Sequence, residues 1–354
     1  MILPRDPLRR EIQSIMQPEN PTRFFSIILG RQGSGKSSLV RNVCRALGGG
    51  VGYIECSPVS DDFGRDLGEK FEFKLEKHVN FLNLVTQTIV GRKTVEMQNG
   101  TGTLPSLRRS ADALHAAAIE YRDANNMKPF VMVIDNVDRL QQGSKEALAV
   151  LAEYAKDWAQ DGSIRCVFVA SHLETAMELM GEHPTQGRSA DPLIIGELSR
   201  SEALELLFAL GVGAEHAEKC VEYVGGSLLL LERVAGLLAA TGGNLPAAQN
   251  KLIKLMTLEI ESALLLASSD DGGGGDKTKD VVGALEALGK APGRKMSGGE
   301  WREAVPNGDV RQRLMHSLVH YDGHTVSFSS KLAEECVSGL VSSLSVLSPD
   351  SQSK

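Results

Sequence analysis

A glycine-rich segment between two regular patterns constrains this chain more than any other feature. Residues 30–37 read Gly-Arg-Gln-Gly-Ser-Gly-Lys-Ser, which fits the pattern G-x-x-x-x-G-K-[S/T]. An apolar strand is predicted before it, at Phe25–Leu29, and a helix is predicted to begin at Lys36. A plain glycine-rich turn would explain the glycines but not Gly-Lys-Ser at this offset. Backbone N–H groups of such a loop surround phosphates, so the segment predicts binding of a nucleoside triphosphate.

The residues of this loop have separate predicted roles. Lys36 is expected to reach the β- and γ-phosphates, and the Ser37 hydroxyl is expected to hold magnesium. We favour ATP over GTP because no guanine-reading N-K-x-D pattern follows Asp135. The other predicted nucleotide contacts are Gly30, Arg31, Gln32, Gly33, Ser34, Gly35 and Ser38.

A second apolar segment supplies the acid that a magnesium-bound triphosphate needs. Phe130–Ile134 is a predicted strand, and Asp135 follows it directly. A carboxylate at the end of a neighbouring strand is placed to hold the ion through water. We therefore predict that Ser37 and Asp135 form the magnesium site.

Strand and helix patterns alternate over the first two-thirds of the chain, which predicts an α/β fold with a parallel sheet flanked by helices. The predicted domains are an α/β domain (1–198), a small helical lid (199–250), a winged helix (251–347) and a disordered tail (348–354). The winged helix is expected because helical segments precede two alternating runs joined by Asp322-Gly323, a hairpin signal. The five predicted strands are Phe25–Leu29, Val51–Cys56, Phe130–Ile134, Cys166–Ala170 and Leu193–Ile195.

Composition limits the classes of partner. The 354 residues carry a net charge of −7, so no overall positive field draws the chain to nucleic acid or anionic lipid. Its longest apolar runs are far shorter than the roughly 20 residues that span a bilayer, so no membrane contact is expected. The five cysteines lack C-x-x-C spacing, which favours a reducing compartment, cytoplasm or nucleus, with a short organellar signal left open.

Taken together, these motifs resemble the AAA+ and STAND branch of P-loop ATPases, particularly the origin-recognition-like and archaeal-type ATPase domains. The resemblance covers most of the chain. It depends on the order of the phosphate loop, the run Val133–Leu140, the strand end at Ser171-His172, the segment Gly196–Ala203, Gly225-Gly226 and the expected winged helix. The phosphate loop is the specific member of this set, and the others gain weight from their order.

The resemblance implies further site residues. It places a polar sensor at Ser171, or at His172, and a γ-phosphate-facing arginine at Arg188. Asn136 stands where many relatives have a catalytic glutamate, and an amide cannot accept a proton from the attacking water. The arginine or proline that relatives have after the lid glycines is also missing, and Arg233 is only a distant substitute. The resemblance therefore implies an ATPase whose hydrolysis is slow or absent.

Three functions remain open from the sequence. The first is a nucleotide-gated switch or ATPase that acts on a protein or nucleic-acid partner, or on a second copy of the chain. The second is a DNA-binding, origin-recognition-like ATPase that uses the winged helix. The third is a nucleotide-binding scaffold that does not hydrolyse ATP. The basic residues that favour DNA are Lys277, Lys279, Lys290, Arg294, Lys295, Arg302, Arg311 and Arg313, against Glu300 and Glu303 in the same region.

Overall fold

The chain forms two compact units. The first unit comprises Met1–Arg31 and Gly35–Gly196, and the second comprises Gln32–Ser34 and Glu197–Lys354. The computed structural model describes residues 5–18, 23–56, 63–71, 103–180, 190–268, 277–291, 294–305, 314, 319–321, 325–328 and 330–347.

A five-stranded parallel sheet forms the centre of the first unit, with the strand order β2-β3-β4-β1-β5. All five predicted strands are confirmed; Leu193–Ile195 is unchanged, and the ends of the other four differ by at most two residues. The largest change is in β4, which begins at Ile164 rather than Cys166 because the sheet accommodates the charged Arg165 within the strand. The strands are β1 (Ser26–Gly30), β2 (Val51–Glu55), β3 (Phe130–Asp135), β4 (Ile164–Ala170) and β5 (Leu193–Ile195).

Helices cover both faces of this sheet. Alternate residues of a strand point to opposite faces, and here both sets are apolar, as parallel strands require. In β3, Met132 belongs to the core on one face and Val133 to the core on the other. The helices are α1 (Asp6–Met16), α2 (Lys36–Leu47), α3 (Phe63–Lys70), α4 (Thr103–Ala124), α5 (Asp138–Gly143), α6 (Lys145–Asp161) and α7 (Leu173–Met180).

The two cores differ in composition. One contains Trp158 of α6 and an edge-to-face pair of Phe25 and Phe168, whose ring centroids are 5.4 Å apart. The other is aliphatic and includes Ile12 of α1 and Val40 of α2. The helix predicted near Phe81–Val90 lies outside the described residues.

The second unit begins with four helices, three of which were predicted within one or two residues. They are α8 (Arg200–Ala209), α9 (Ala214–Val224), α10 (Leu228–Ala240) and α11 (Leu245–Ser268). Ser199 and Glu202 form a reciprocal cap that fixes the start of α8. The predicted boundary after residue 250 falls within α11, which continues across it.

The end of the chain contains a small antiparallel sheet with the order β6-β8-β7. The predicted hairpin is confirmed, since Val319 pairs with Phe328 and Tyr321 with Val326. The elements are α12 (Lys277–Lys290), β6 (Lys295–Ser297), α13 (Gly298–Ala304), β7 (Val319–Tyr321), β8 (Thr325–Phe328) and α14 (Lys331–Leu347).

Several predictions for this region have different outcomes. The sequence pattern did not indicate α14, which is a helix of 17 residues. The predicted flexible loop at Ser268–Gly275 and the helix at Val310–Leu318 fall almost entirely outside the described residues, as does the tail after Leu347. Assignment of this region as a winged helix remains a prediction. None of the helices in the described parts combines the length and apolar composition that crossing a membrane requires.

Backbone conformation and steric constraints explain why glycine stands at both Gly225 and Gly226. Gly225 ends α9 with φ of +72°, a left-handed conformation that favours glycine. The carbonyl of Gly226 accepts a 2.9 Å hydrogen bond from the backbone N–H of Leu198. A Cβ at Gly226 would lie 2.1 Å from the Leu198 carbonyl oxygen, so this position has no room for a side chain.

Gly226→Ala is therefore expected to lower the free energy of unfolding by about 1–3 kcal/mol, the usual cost of overpacking. Gly236→Ala is the matched control, because Gly236 is exposed on α10 and a Cβ there meets nothing within 4 Å. This control should raise the free energy of unfolding by up to about 1 kcal/mol through helix propensity. Urea titrations followed by circular dichroism would measure both values. Equal effects of the two substitutions would contradict the steric explanation.

Candidate nucleotide-binding site

The phosphate loop connects the end of β1 to the start of α2. Its backbone turns at Gly33 and Gly35, whose φ angles are +79° and +84°. Side-chain-bearing residues rarely adopt these angles, which explains the two glycines. Gly35 is the N-cap of the 12-residue helix α2, so the positive end of the helix dipole faces the turn. Of the loop side chains, Ser34 and Lys36 are buried, while Gln32 and Ser38 are exposed.

Lys36 is buried, with 4% of its surface exposed. Burial lowers the pKa of its ammonium group, and the negative charges of Asp138 and Asp135 oppose that effect. A buried cation at a turn of backbone N–H groups is an arrangement that attracts an anion.

Asp135 ends β3 and has no exposed surface. Asp135 was predicted to lie on a strand that neighbours β1, the strand that leads into the loop. In the sheet, β4 lies between β3 and β1, so Asp135 is one strand further away. The two elements nevertheless meet, since the Ser37 hydroxyl donates a 3.2 Å hydrogen bond to Asp135 Oδ1. The backbone N–H of Asn136 also donates to this oxygen, at 2.8 Å.

Tyr53 on β2 holds the other oxygen of Asp135. Its phenol donates a hydrogen bond to Asp135 Oδ2 and accepts one of 2.7 Å from Arg41 Nε. Burial, followed by the hydrogen bond to Asp135, raises the pKa of Tyr53, so the phenol stays a donor. Its hydrogen bond to Tyr53 raises the pKa of Arg41. Asp135 is therefore held by three donors from three different segments.

Glu55, at the end of β2, lies beside Asn136. The two strands pair with Glu55 opposite Asp135. The amide of Asn136 donates a 2.8 Å hydrogen bond to Glu55 Oε1, and Arg139 Nη1 lies 3.4 Å from the same oxygen. Arg41 Nη2 lies 2.5 Å from Glu55 Oε2. Asn136 itself has φ of +57°, which a side-chain amide tolerates better than most residues.

Asp138 fixes the end of β4. Its carboxylate accepts hydrogen bonds from the backbone N–H groups of Ser171, at 2.6 Å, and His172, at 3.1 Å. The His172 Nδ1 atom is also 3.1 Å from this carboxylate. Burial alone would raise the pKa of Asp138, but the hydrogen bonds from His172 and Ser171 lower it overall. The acid thus connects the start of α5 to the predicted sensor residues.

Lys36, Ser37 and Asp135 come together, and Asn136 and Ser171 lie at the same carboxyl edge of the sheet. Arg188 lies outside the described residues. Sequence reasoning missed Tyr53, Arg41 and Glu55. For Glu55 a signal existed, because an acid at the end of an apolar strand was the criterion that identified Asp135.

The donor atoms of the site fit magnesium. Ser37 Oγ and Asp135 Oδ1 are oxygen atoms 3.2 Å apart. With Ser37 Oγ as a direct ligand about 2.0–2.1 Å from Mg²⁺, the neighbouring Asp135 carboxylate would be placed to hold the ion through one of its water molecules. The described residues contain no group of three or more His, Cys, Asp or Glu side chains that converge as metal ligands.

Comparison with known proteins agrees with this geometry. Residues 4–157 match the family model described as the AAA ATPase domain. A search of curated protein sequences found no significant match. Among solved structures, the Walker-type ATPase paby2304 of Pyrococcus abyssi is similar, with a TM-score of 0.61 and 16% identity over 95% of this chain and 96% of that one. At this identity, the likeness shows the fold alone.

Two further solved structures are more distant. Cdc6p from Pyrobaculum aerophilum has a TM-score of 0.43 and 10% identity over 97% of this chain and 95% of its own. The ORC2 protein of Aeropyrum pernix has a TM-score of 0.45 and 14% identity, also over 97% and 95%. These scores are too low to carry an argument about function. The match of residues 4–157 to the AAA ATPase domain model and the parallel α/β fold agree with the resemblance drawn from the motifs.

Proposed function

We propose that this protein binds ATP with magnesium, hydrolyses it slowly, and uses the bound nucleotide to control its contact with a protein partner or with a second copy of itself. The observation that supports binding most directly is the convergence of a buried lysine, a helix N-terminus and the Ser37–Asp135 pair at one loop. Each of the three features suits a different part of a magnesium-bound triphosphate.

The electrostatics of Lys36 support an anionic ligand. Lys36 is 4% exposed and has lost most of its hydration, and the carboxylates near its ammonium group compensate only in part, since its pKa is still lowered. Phosphate oxygens at the loop would provide the missing counter-charge. The free energy that burial costs the empty protein is thereby recovered in the complex.

The contacts of Asp135 support magnesium binding. A carboxylate held by Tyr53 and Asn136 keeps its orientation when Ser37 turns from Asp135 to a metal ion. Little side-chain entropy is then lost on binding the ion, because the geometry exists beforehand. In the proposed complex, Ser37 and Asp135 hold the ion, and the ion neutralises phosphate charge.

The proposed switch requires that the two states of the site differ in their contacts. Ser171 and His172 are held through Asp138, so this strand end is connected to the same edge of the sheet as the loop. Mass measurement with and without ATP and magnesium, in parallel with phosphate release, tests the switch. An unchanged oligomeric state together with absent phosphate release would favour a scaffold that does not hydrolyse ATP.

DNA binding by the C-terminal region is the alternative that the sequence left open. Among its described basic side chains, Lys290 pairs with Glu286, Arg294 with Glu334 and Lys331 with Glu222. Such pairs reduce the charge available to phosphates. We therefore do not adopt this function, and salt-dependent binding to duplex DNA in fluorescence anisotropy would reverse that choice.

Replacement of Lys36 should separate binding from stability. Lys36→Met is expected to weaken ATP binding about tenfold to over a hundredfold, because a charge-assisted contact worth roughly 1.5–3 kcal/mol is lost. The unfolding temperature of the nucleotide-free variant should not fall, because the substitution removes a buried charge. Calorimetry and thermal unfolding measure the two effects. Lys70→Met, at an exposed lysine of α3, is the control, and unchanged ATP affinity in Lys36→Met would refute the proposed site.

Removal of the Ser37 hydroxyl should affect only the magnesium-dependent part of binding. In EDTA, Ser37→Ala should bind ATP as the wild type does. With excess magnesium, its affinity should be about tenfold or more below that of the wild type, because one oxygen ligand of the ion is missing. Ser14→Ala, at an exposed serine on α1 whose hydroxyl donates a 2.8 Å hydrogen bond to the Glu11 carbonyl, is the control. An equal loss of affinity in EDTA and in magnesium would contradict the role of Ser37.

Removal of the Tyr53 hydroxyl should destabilise the protein. Tyr53→Phe leaves Asp135 Oδ2 buried without its donor, which typically costs about 1–3 kcal/mol. Tyr154→Phe is the matched control, since Tyr154 donates a 2.8 Å hydrogen bond to the exposed Asp112 and water can replace it. Denaturant titration should show a loss below about 1 kcal/mol for the control. Similar losses of unfolding free energy in the two variants would show that burial of Asp135 does not explain the contribution of the Tyr53–Asp135 hydrogen bond.

A further inference from the structure

Hydrolysis needs a group that takes a proton from water, and Asn136 cannot supply one. We propose that Glu55, at the end of β2, is the catalytic carboxylate that activates water for ATP hydrolysis in this protein. The inference rests on the function proposed above, and it assigns to this site a residue that the motif reasoning did not identify.

The position of Glu55 supports this role. It is opposite Asp135 in the strand register, one strand away from Asn136, and Asn136 Nδ2 is 2.8 Å from Glu55 Oε1. The two side chains therefore occupy a single patch at the carboxyl edge of the sheet. Carboxylate and amide are both present there, but the carboxylate is on β2 and the amide follows β3.

Other acids of the described site do not meet the same requirements. Asp135 is fully buried and accepts three hydrogen bonds. Asp138 is 5% exposed and is occupied by Ser171 and His172. The side chain of Glu55 is 39% exposed, so water reaches it. Glu55 is thus the acid of this cluster that combines solvent access with contact to the Asp135–Asn136 turn.

The contacts of Glu55 also explain how it is oriented. Arg41 of α2 holds Oε2, while Asn136 and Arg139 hold Oε1. These contacts fix the plane of the carboxylate.

The reaction step is a simple displacement. The water oxygen forms a bond to the γ-phosphorus of ATP, and the bond from that phosphorus to the bridging oxygen breaks, with its electron pair leaving on ADP. The proton lost by the water passes to the Glu55 carboxylate. ADP and inorganic phosphate are the products.

The test compares Glu55→Gln with Glu69→Gln, an exposed glutamate of α3, in the full-length protein. Glu55→Gln keeps the size of the side chain and its acceptor oxygen but cannot take a proton. Its kcat for phosphate release should fall by about 100-fold or more, which is the usual contribution of a general base. Its affinity for ATP and magnesium, measured by calorimetry, should stay within about threefold of the wild type, since only proton transfer is removed. Glu69→Gln should match the wild type in both measurements.

The outcomes separate the two proposals. A kcat of Glu55→Gln within threefold of the wild type, or a loss of ATP affinity equal to its loss of kcat, would overturn the assignment of Glu55 while leaving ATP binding intact as a proposal. A wild type that binds ATP and releases no phosphate would overturn it too. Absence of ATP binding in the wild type would instead refute the proposed function itself. An exchange variant combines Glu55→Asn with Asn136→Glu. A kcat of this variant at least tenfold above that of Glu55→Gln would support a catalytic carboxylate that can be supplied from either position of this patch.

Discussion

The buried carboxylate of Asp135 is the contact on which the rest of the site depends. A charge without exposed surface is tolerated only when hydrogen bonds replace its hydration, and three donors do so here. They come from the start of α2, from β2 and from the turn after β3. One buried charge therefore fixes the relative positions of the phosphate loop and two strands.

Much of the fold follows from local patterns. Five apolar runs predicted five strands, because strands buried on both faces leave little room for polar residues. Arg165 shows the limit of this reasoning, since a charged residue inside β4 shortened the predicted strand by two residues. Helix α14 was missed for a related reason: its sequence alternates serine, glycine and apolar residues, which weakens the signal of a helical face.

Site residues that belong to a sequence motif could be predicted, whereas residues that only strand pairing brings into the site could not. Lys36, Ser37 and Asp135 follow from spacing and from the residue at a strand end. The role of Tyr53 does not, because it depends on the pairing of β2 with β3, and 74 residues separate the two strands. Glu55 could be predicted only in part. Its strand was predicted to run to Cys56, which placed Glu55 inside the strand rather than at its exposed end.

Arg41 has a consequence for how the empty and occupied sites differ. It belongs to α2, the helix that begins at the phosphate loop, and it holds both Tyr53 and Glu55 on β2. Arg41 therefore joins the helix whose N-terminus faces the phosphate loop to the carboxylate at the end of β2. Any displacement of α2 would act on the contacts of Glu55 through a single guanidinium group.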